Sequence, residues 1–110
     1  MEKIKNVDLK VVGVTFKNED GTSRGDIIRE LSEHFKEMHP NVLLEREYDN
    51  KFDKNAIKVV VDGKQIGYIG KDYAQILAEF IDVGRKFTAS VKDCGIYKNR
   101  PYCEITVQEV

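Results

Sequence analysis

Apolar and polar residues alternate through most of this chain, and the period lengthens to that of a helix in only two places. Residues 8–16, DLKVVGVTF, are apolar and β-branched around Gly13. They predict a first strand with a bulge or a close backbone approach at the glycine. NEDGT at 18–22 is turn chemistry. In SRGDIIRELSEHFKEM, residues 23–38, the apolar side chains Ile27, Ile28, Leu31, Phe35 and Met38 fall on one helical face. Ser23 and Asp26 are spaced as a capping box, and Pro40 closes the element.

VLLEREY (42–48) returns to the strand period, and DNKFDKN (49–55) is a polar loop. AIKVVV (56–61) and KQIGYIG (64–70) flank Asp62-Gly63, a strong hairpin signal. A second helix follows from Lys71 or Asp72. Its predicted apolar face is Tyr73, Ile76, Leu77, Phe80 and Ile81, with Asp72 and Gln75 as a cap and Gly84 as the stop. KFTASVKDC (86–94) and YCEITVQE (102–109) predict two last strands joined by GIYKNRP. Six short strands and two helices favour a mainly β, α+β architecture: a small six-stranded barrel of the OB-like or SH3-like kind, whose closure removes exposed edges. No linker or repeat divides the chain, so one domain over 1–110 is expected.

The chain has 110 residues, 41% of them hydrophobic and 34% charged, which suits one ordered domain with a modest core. No apolar run approaches the roughly 20 residues of a membrane span, and MEKIKNVDLK lacks the apolar centre of a signal peptide. A cytoplasmic location is the default expectation. The formal net charge of −1 argues against a broad basic surface for coating nucleic acid but leaves room for a small local site. Cys94 and Cys103 lie symmetrically about Lys98-Asn99, so a hairpin there would set them opposite each other. The favoured reading is two reduced, partly buried thiols, with a disulfide or redox pair as the alternative.

Phosphate-loop, nucleophile-elbow and zinc-protease motifs are all missing. Glu45, Glu47, Asp49 and Asp53 are close enough in sequence to suggest a metal-dependent nuclease, but Glu45 and Glu47 alternate with Leu44 and Arg46 and read as a solvated strand face. No enzyme, metal or cofactor is expected. The aromatics offer more. Phe16, Tyr48, Phe52 and Tyr68 would gather on one rim of a closed barrel, interleaved with Lys17, Lys54 and Lys71. Stacking faces and cations together make a single-stranded nucleic-acid site. By spacing alone, Phe16 and Phe52 fit the core equally well.

Three segments, VVGVTF at 11–16, LEREYDNKFDKNAIKVVV at 44–61 and GKQIGYIG at 63–70, resemble the HIRAN domain, and the likeness runs through essentially the whole chain. The resemblance implies a modified OB-like barrel. It also implies a module that, in DNA translocases, captures the 3′ end of single-stranded DNA, with repair or replication-fork work in the background. Small bacterial members also occur alone, and this chain, from Met1 to the end of its last strand, resembles that kind.

Carried over residue by residue, the resemblance makes Asp53 the acceptor of the terminal 3′-hydroxyl. Phe52 and Phe16 become stacking faces, Tyr68 and Lys71 contacts to base and backbone, and Asn55 the amide that holds the turn around Asp53. The chemistry is coherent, because a carboxylate accepts from a hydroxyl and repels a phosphate. One position departs from the pattern. Thr15 stands where the DNA-end binders carry an arginine, and Lys17 and Arg24 are the candidates to compensate. The expected partner is therefore single-stranded DNA. A protein partner is the alternative, taken by an adaptor that uses the barrel groove or the 23–38 helix.

Overall fold

The computed structural model describes residues 2–110. Its strands are β1 (Val7–Val12), β2 (Val42–Arg46), β3 (Ile57–Val61), β4 (Lys64–Ile69), β5 (Phe87–Tyr97) and β6 (Arg100–Glu109). All neighbours are antiparallel, and they close a barrel in the order β1-β4-β3-β2-β5-β6. The expected six-stranded barrel is what the chain forms.

Strand alternation builds the core. In β3, Ile57, Val59 and Val61 point inward while Lys58 and Val60 face outward. Ile66, Ile69, Ile105 and Val107 join them from β4 and β6. Two seams are short: β1 meets β4 at only two residue pairs, and β2 meets β5 at Val42↔Ala89 alone. At the first seam Gly67 is indispensable, because a Cβ there would run into the carbonyl oxygen of Val12 and the side chain of Val11.

Among the described residues there are three helices rather than two. The predicted 23–38 helix is α1 (Arg24–Ser32) followed by a one-turn α2 (Phe35–Met38). The break comes where the amides of Glu33 and His34 bond the carbonyls of Glu30 and Leu31, three residues back, and His34 leaves helical geometry. The swerve keeps Ile28, Leu31 and Phe35 in the core but turns Met38 out to solvent. The Ser23 cap forms as expected, its Oγ accepting from the Asp26 amide. Among the described residues no helix is long and apolar enough to cross a membrane.

α3 (Lys71–Asp82) buries Ala74, Leu77 and Ala78. Its N-cap is Gly70, without a side-chain cap, so the Asp72–Gln75 box does not form. Asp72 instead adds a negative charge to the first turn, where the helix dipole favours it. The GIYKNRP segment is not a loop either. Strand pairing runs up to Tyr97↔Arg100, and Lys98 and Asn99 alone make the turn, both at positive φ (50° and 65°). That is the geometry of a two-residue type I′ hairpin, without the glycine that usually marks it.

Candidate nucleic-acid interface

The first strand ends at Val12, four residues earlier than the apolar run suggested, because Gly13 takes a left-handed φ of 70° and starts a turn. That turn lifts Thr15 and Phe16 out of the barrel wall, and Phe16 is 67% exposed. Three side chains crowd the backbone at Gly13. A Cβ there would sit 3.3 Å from the Arg24 guanidinium and 3.8 Å from ring atoms of both Phe16 and Tyr68. Phe16 and Tyr68 thus both lie against Gly13.

Arg24 is only 8% exposed. Its Nε donates to Asn18 Oδ1 at 2.7 Å, its Nη1 donates to the Gly13 carbonyl at 3.0 Å, and the guanidinium lies 5.3 Å from the centroid of the Tyr68 ring. Asn18 Nδ2 in turn donates to the Gln65 carbonyl on β4. The side chain from the start of α1 therefore reaches the neighbourhood of the missing arginine, but it is spent on holding the 13–18 turn against Tyr68. Thr15 itself is exposed and makes no side-chain hydrogen bond. Lys17 lines the same groove as Arg24, Glu47 and Tyr68, together with Lys58, Lys64 and Glu45, over the outer faces of β2, β3 and β4.

A second turn carries Phe52 and Asp53. Asn50 organises it: Oδ1 of its side chain accepts from the amides of both Phe52 and Asp53 at 2.8 Å. The Asn50 side-chain amide donates to Glu47 Oε1 at 2.7 Å. Glu47 also accepts the Tyr68 hydroxyl at 2.7 Å and pairs with Lys58 at 3.1 Å. Burial acts to raise the Glu47 pKa, but the hydrogen bonds from Tyr68, Asn50 and Lys58 outweigh it and hold the carboxyl below its ordinary range. Glu47 is therefore a half-buried hub and not part of a solvated strand face. It ties the Phe52-Asp53 turn to Tyr68.

The turn leaves Phe52 92% exposed, far from any core role. Asp53 Oδ1 accepts from the Asn55 amide at 2.9 Å, while Oδ2 is uncommitted. Asn55 contributes this backbone amide rather than its side chain, so the amide expected to hold the turn is Asn50's. Lys71 is exposed at the first residue of α3, next to the β4 end, and forms no ion pair. Nothing bonds it to the other four candidates.

The root of the loop is fastened by Arg46. Its Nη1 and Nη2 donate to the carbonyls of Ala56 and Lys54, and its Nε and Nη2 grip both carboxylate oxygens of Asp82 at the end of α3. Tyr48 stacks 4.4 Å from the guanidinium and donates its hydroxyl to Asp82. The Arg46 contact holds the Asp82 carboxyl below its usual pKa. Tyr48, although 69% exposed, is therefore engaged in this clamp through its ring and its hydroxyl. Among the described residues no group of three or more His, Cys, Asp or Glu side chains is arranged to hold a metal ion.

Comparison with known proteins agrees with the barrel fold. A 42-residue stretch, 37% of the chain, is 52% identical to the helicase-like transcription factor of Oryctolagus cuniculus, of whose length it spans only 4%. The crystal structure of the HIRAN domain of human HLTF superimposes with a TM-score of 0.67 at 22% identity, covering 97% of this chain and 76% of that one. A crystal structure of a protein from Lactobacillus plantarum gives 0.68 at 24% identity, covering 97% and 92%. The HIRAN domain profile matches residues 4–109, and the chain belongs to the HIRAN domain family.

Proposed function

We propose that this chain is a non-catalytic nucleic-acid-binding module that recognises the 3′-hydroxyl end of single-stranded DNA. The observation that carries the reading is the Phe52-Asp53 turn. A phenylalanine 92% exposed stands beside a carboxylate with one free oxygen, and Asn50 fixes both through their amides. An aromatic face accepts a base, and the adjacent anion accepts a terminal hydroxyl while repelling a phosphate. Phe16 offers a second stacking face beside Tyr68. Lys71 supplies charge for the backbone. With Thr15 in place of an arginine, and Arg24 committed within the fold, affinity rests on stacking and on Asp53.

Asp53→Asn is the informative variant. It keeps an oxygen for the Asn55 amide, so the turn survives, but it removes the charge. Strands ending in 3′-hydroxyl and in 3′-phosphate are then compared. Wild type should prefer the hydroxyl by roughly tenfold or more, the scale of one hydrogen bond to a charged group, and the variant should bind the two alike. Equal preference in both proteins would reject the reading.

One observation favours the second reading, a protein-interaction adaptor. A groove between the end of β1 and the β5–β6 hairpin is lined by Val14, Tyr97, Pro101 and Tyr102, with Lys10 and Arg100 at its edges. Aromatic-lined grooves of small barrels take extended peptides. The 23–38 segment suits that role less, since most of its apolar stripe is used in the core.

A further inference from the structure

Cys94 and Cys103 face each other directly across the β5–β6 ladder. Both are free thiols and both are buried, Cys103 at 1% exposure and Cys94 at 5%. Directly opposed residues of an antiparallel pair have Cα atoms about 4.5–5.5 Å apart, inside the roughly 4.4–6.8 Å range of disulfides. Their Cβ atoms, about 4.5–5.5 Å apart, must approach to about 3.8 Å for a bond. A closure of about 1 Å is therefore enough. The strand has slack for it: the register slips between Val91 and Asp93, and Gly95 follows Cys94. A bond made by pulling two strands together is strained, and strained disulfides are the readily reduced ones.

The two thiols differ in access. Cys94 lines a cleft beneath the α1–α2 break, alongside Glu33, His34, Lys36 and Asp93. Both sulfurs belong to the hydrophobic core, but Cys103, at 1% exposure, does not line this cleft. Contact with Cys103 draws the Cys94 thiol below its ordinary pKa, and contact with Cys94 together with burial pushes Cys103 up. The outer sulfur is the better nucleophile and the inner one is held in reserve beside it.

We propose that Cys94 and Cys103 form a reversible dithiol–disulfide site in which Cys94 meets a small-molecule disulfide through the cleft and Cys103 resolves the adduct. In the first step Cys94 loses its proton to solvent and its sulfur attacks one sulfur of the small disulfide. That S–S bond breaks, and one small thiol departs. In the second step Cys103 loses its proton and attacks the Cys94 sulfur, expelling the second small thiol. Two protein thiols are oxidised and one small disulfide is reduced to two thiols. The new bond would pin the hairpin next to Tyr102, three residue pairs below the tip that carries Tyr97.

The test treats the native protein with glutathione disulfide, follows intact mass, and titrates thiols after unfolding. The site predicts loss of two hydrogens, no free thiol, a monomer, and full recovery with dithiothreitol. In Cys103→Ser the reaction should stop at one glutathione carried on Cys94. Two persistent free thiols in wild type, a stable glutathione adduct in wild type, or a disulfide-linked dimer would each overturn the proposal. The wild-type result stands even if the buried serine prevents folding.

Discussion

The Tyr68 hydroxyl donates to Glu47 Oε1 at 2.7 Å, and the same oxygen accepts from the Asn50 side chain at 2.7 Å. This one carboxylate connects the ring on β4 to the turn that presents Phe52 and Asp53. The two halves of the candidate interface are consequently one mechanical unit.

Breaking that link should loosen the turn as well as the fold. Tyr68→Phe and Glu47→Gln should each cost about 1–2 kcal/mol, since they remove or weaken a half-buried hydrogen bond to a charged group. A double-mutant cycle by denaturant unfolding should give a coupling of about 0.5–1.5 kcal/mol. Strict additivity would mean that the two side chains do not act together.

Arg46→Lys tests the clamp at the loop root. A lysine cannot serve two carbonyls and both oxygens of Asp82 at once. The Arg46 side chain is 7% exposed but Asp82 is 38% exposed, so solvent partly screens the ion pair and the expected loss is about 1–2 kcal/mol. Faster amide exchange at 47–56 should accompany it.

Gly67→Ala should destabilise by about 1–3 kcal/mol, because the methyl group meets the Val12 carbonyl at a seam of only two residue pairs. Gly70→Ala, three residues on, would make only an ordinary 3.9 Å contact with the Val12 side chain and has ordinary φ. It should cost under about 1 kcal/mol, the scale of a helix cap. Thermal melts of the two variants decide the comparison.

Acid should weaken the fold through carboxylates whose folded pKa is depressed. Arg85 and the Ile4 amide hold Glu109 down to about 2, and Glu47 also lies below its usual range. Such groups contribute stability above the ordinary glutamate value of about 4.3, and that stability is lost as pH falls through the folded-state value. Denaturation midpoints should be level near neutrality and decline from about 4.3 toward 2. Glu109→Gln should flatten that decline.

The sequence made the barrel legible because its signals were local. Alternation in IKVVV, the Asp62-Gly63 turn and the apolar faces of the helices each point to one element, and they agree with one another. The misses share a cause: tertiary contacts overrode local pattern. β1 stops at Gly13 because the Arg24 guanidinium, from the start of α1, holds the turn. The helix breaks at His34 so that Phe35 stays in the core. Lys98 accepts a left-handed φ that its side chain does not advertise.

In the candidate site, aromatic spacing and family likeness point to Phe16, Phe52, Asp53, Tyr68 and Lys71. They do not point to the residues that position the site. Alternation put Glu47 on a solvated face, yet its partners arrive from β3, β4 and the 49–55 loop. Arg46 and Asn50 lay inside the motif that carried the likeness, and their presence among residues of no evident chemistry was the available signal.

The central claim is tested most directly by fluorescence anisotropy at low salt with three short single strands: one ending in a 3′-hydroxyl, one in a 3′-phosphate, and one circular. The account predicts tightest binding to the hydroxyl end. Phe52→Ala should weaken that binding and leave stability within about 0.5 kcal/mol, as expected for an exposed side chain. Equal affinity for all three strands, or binding unchanged in Phe52→Ala, would contradict it.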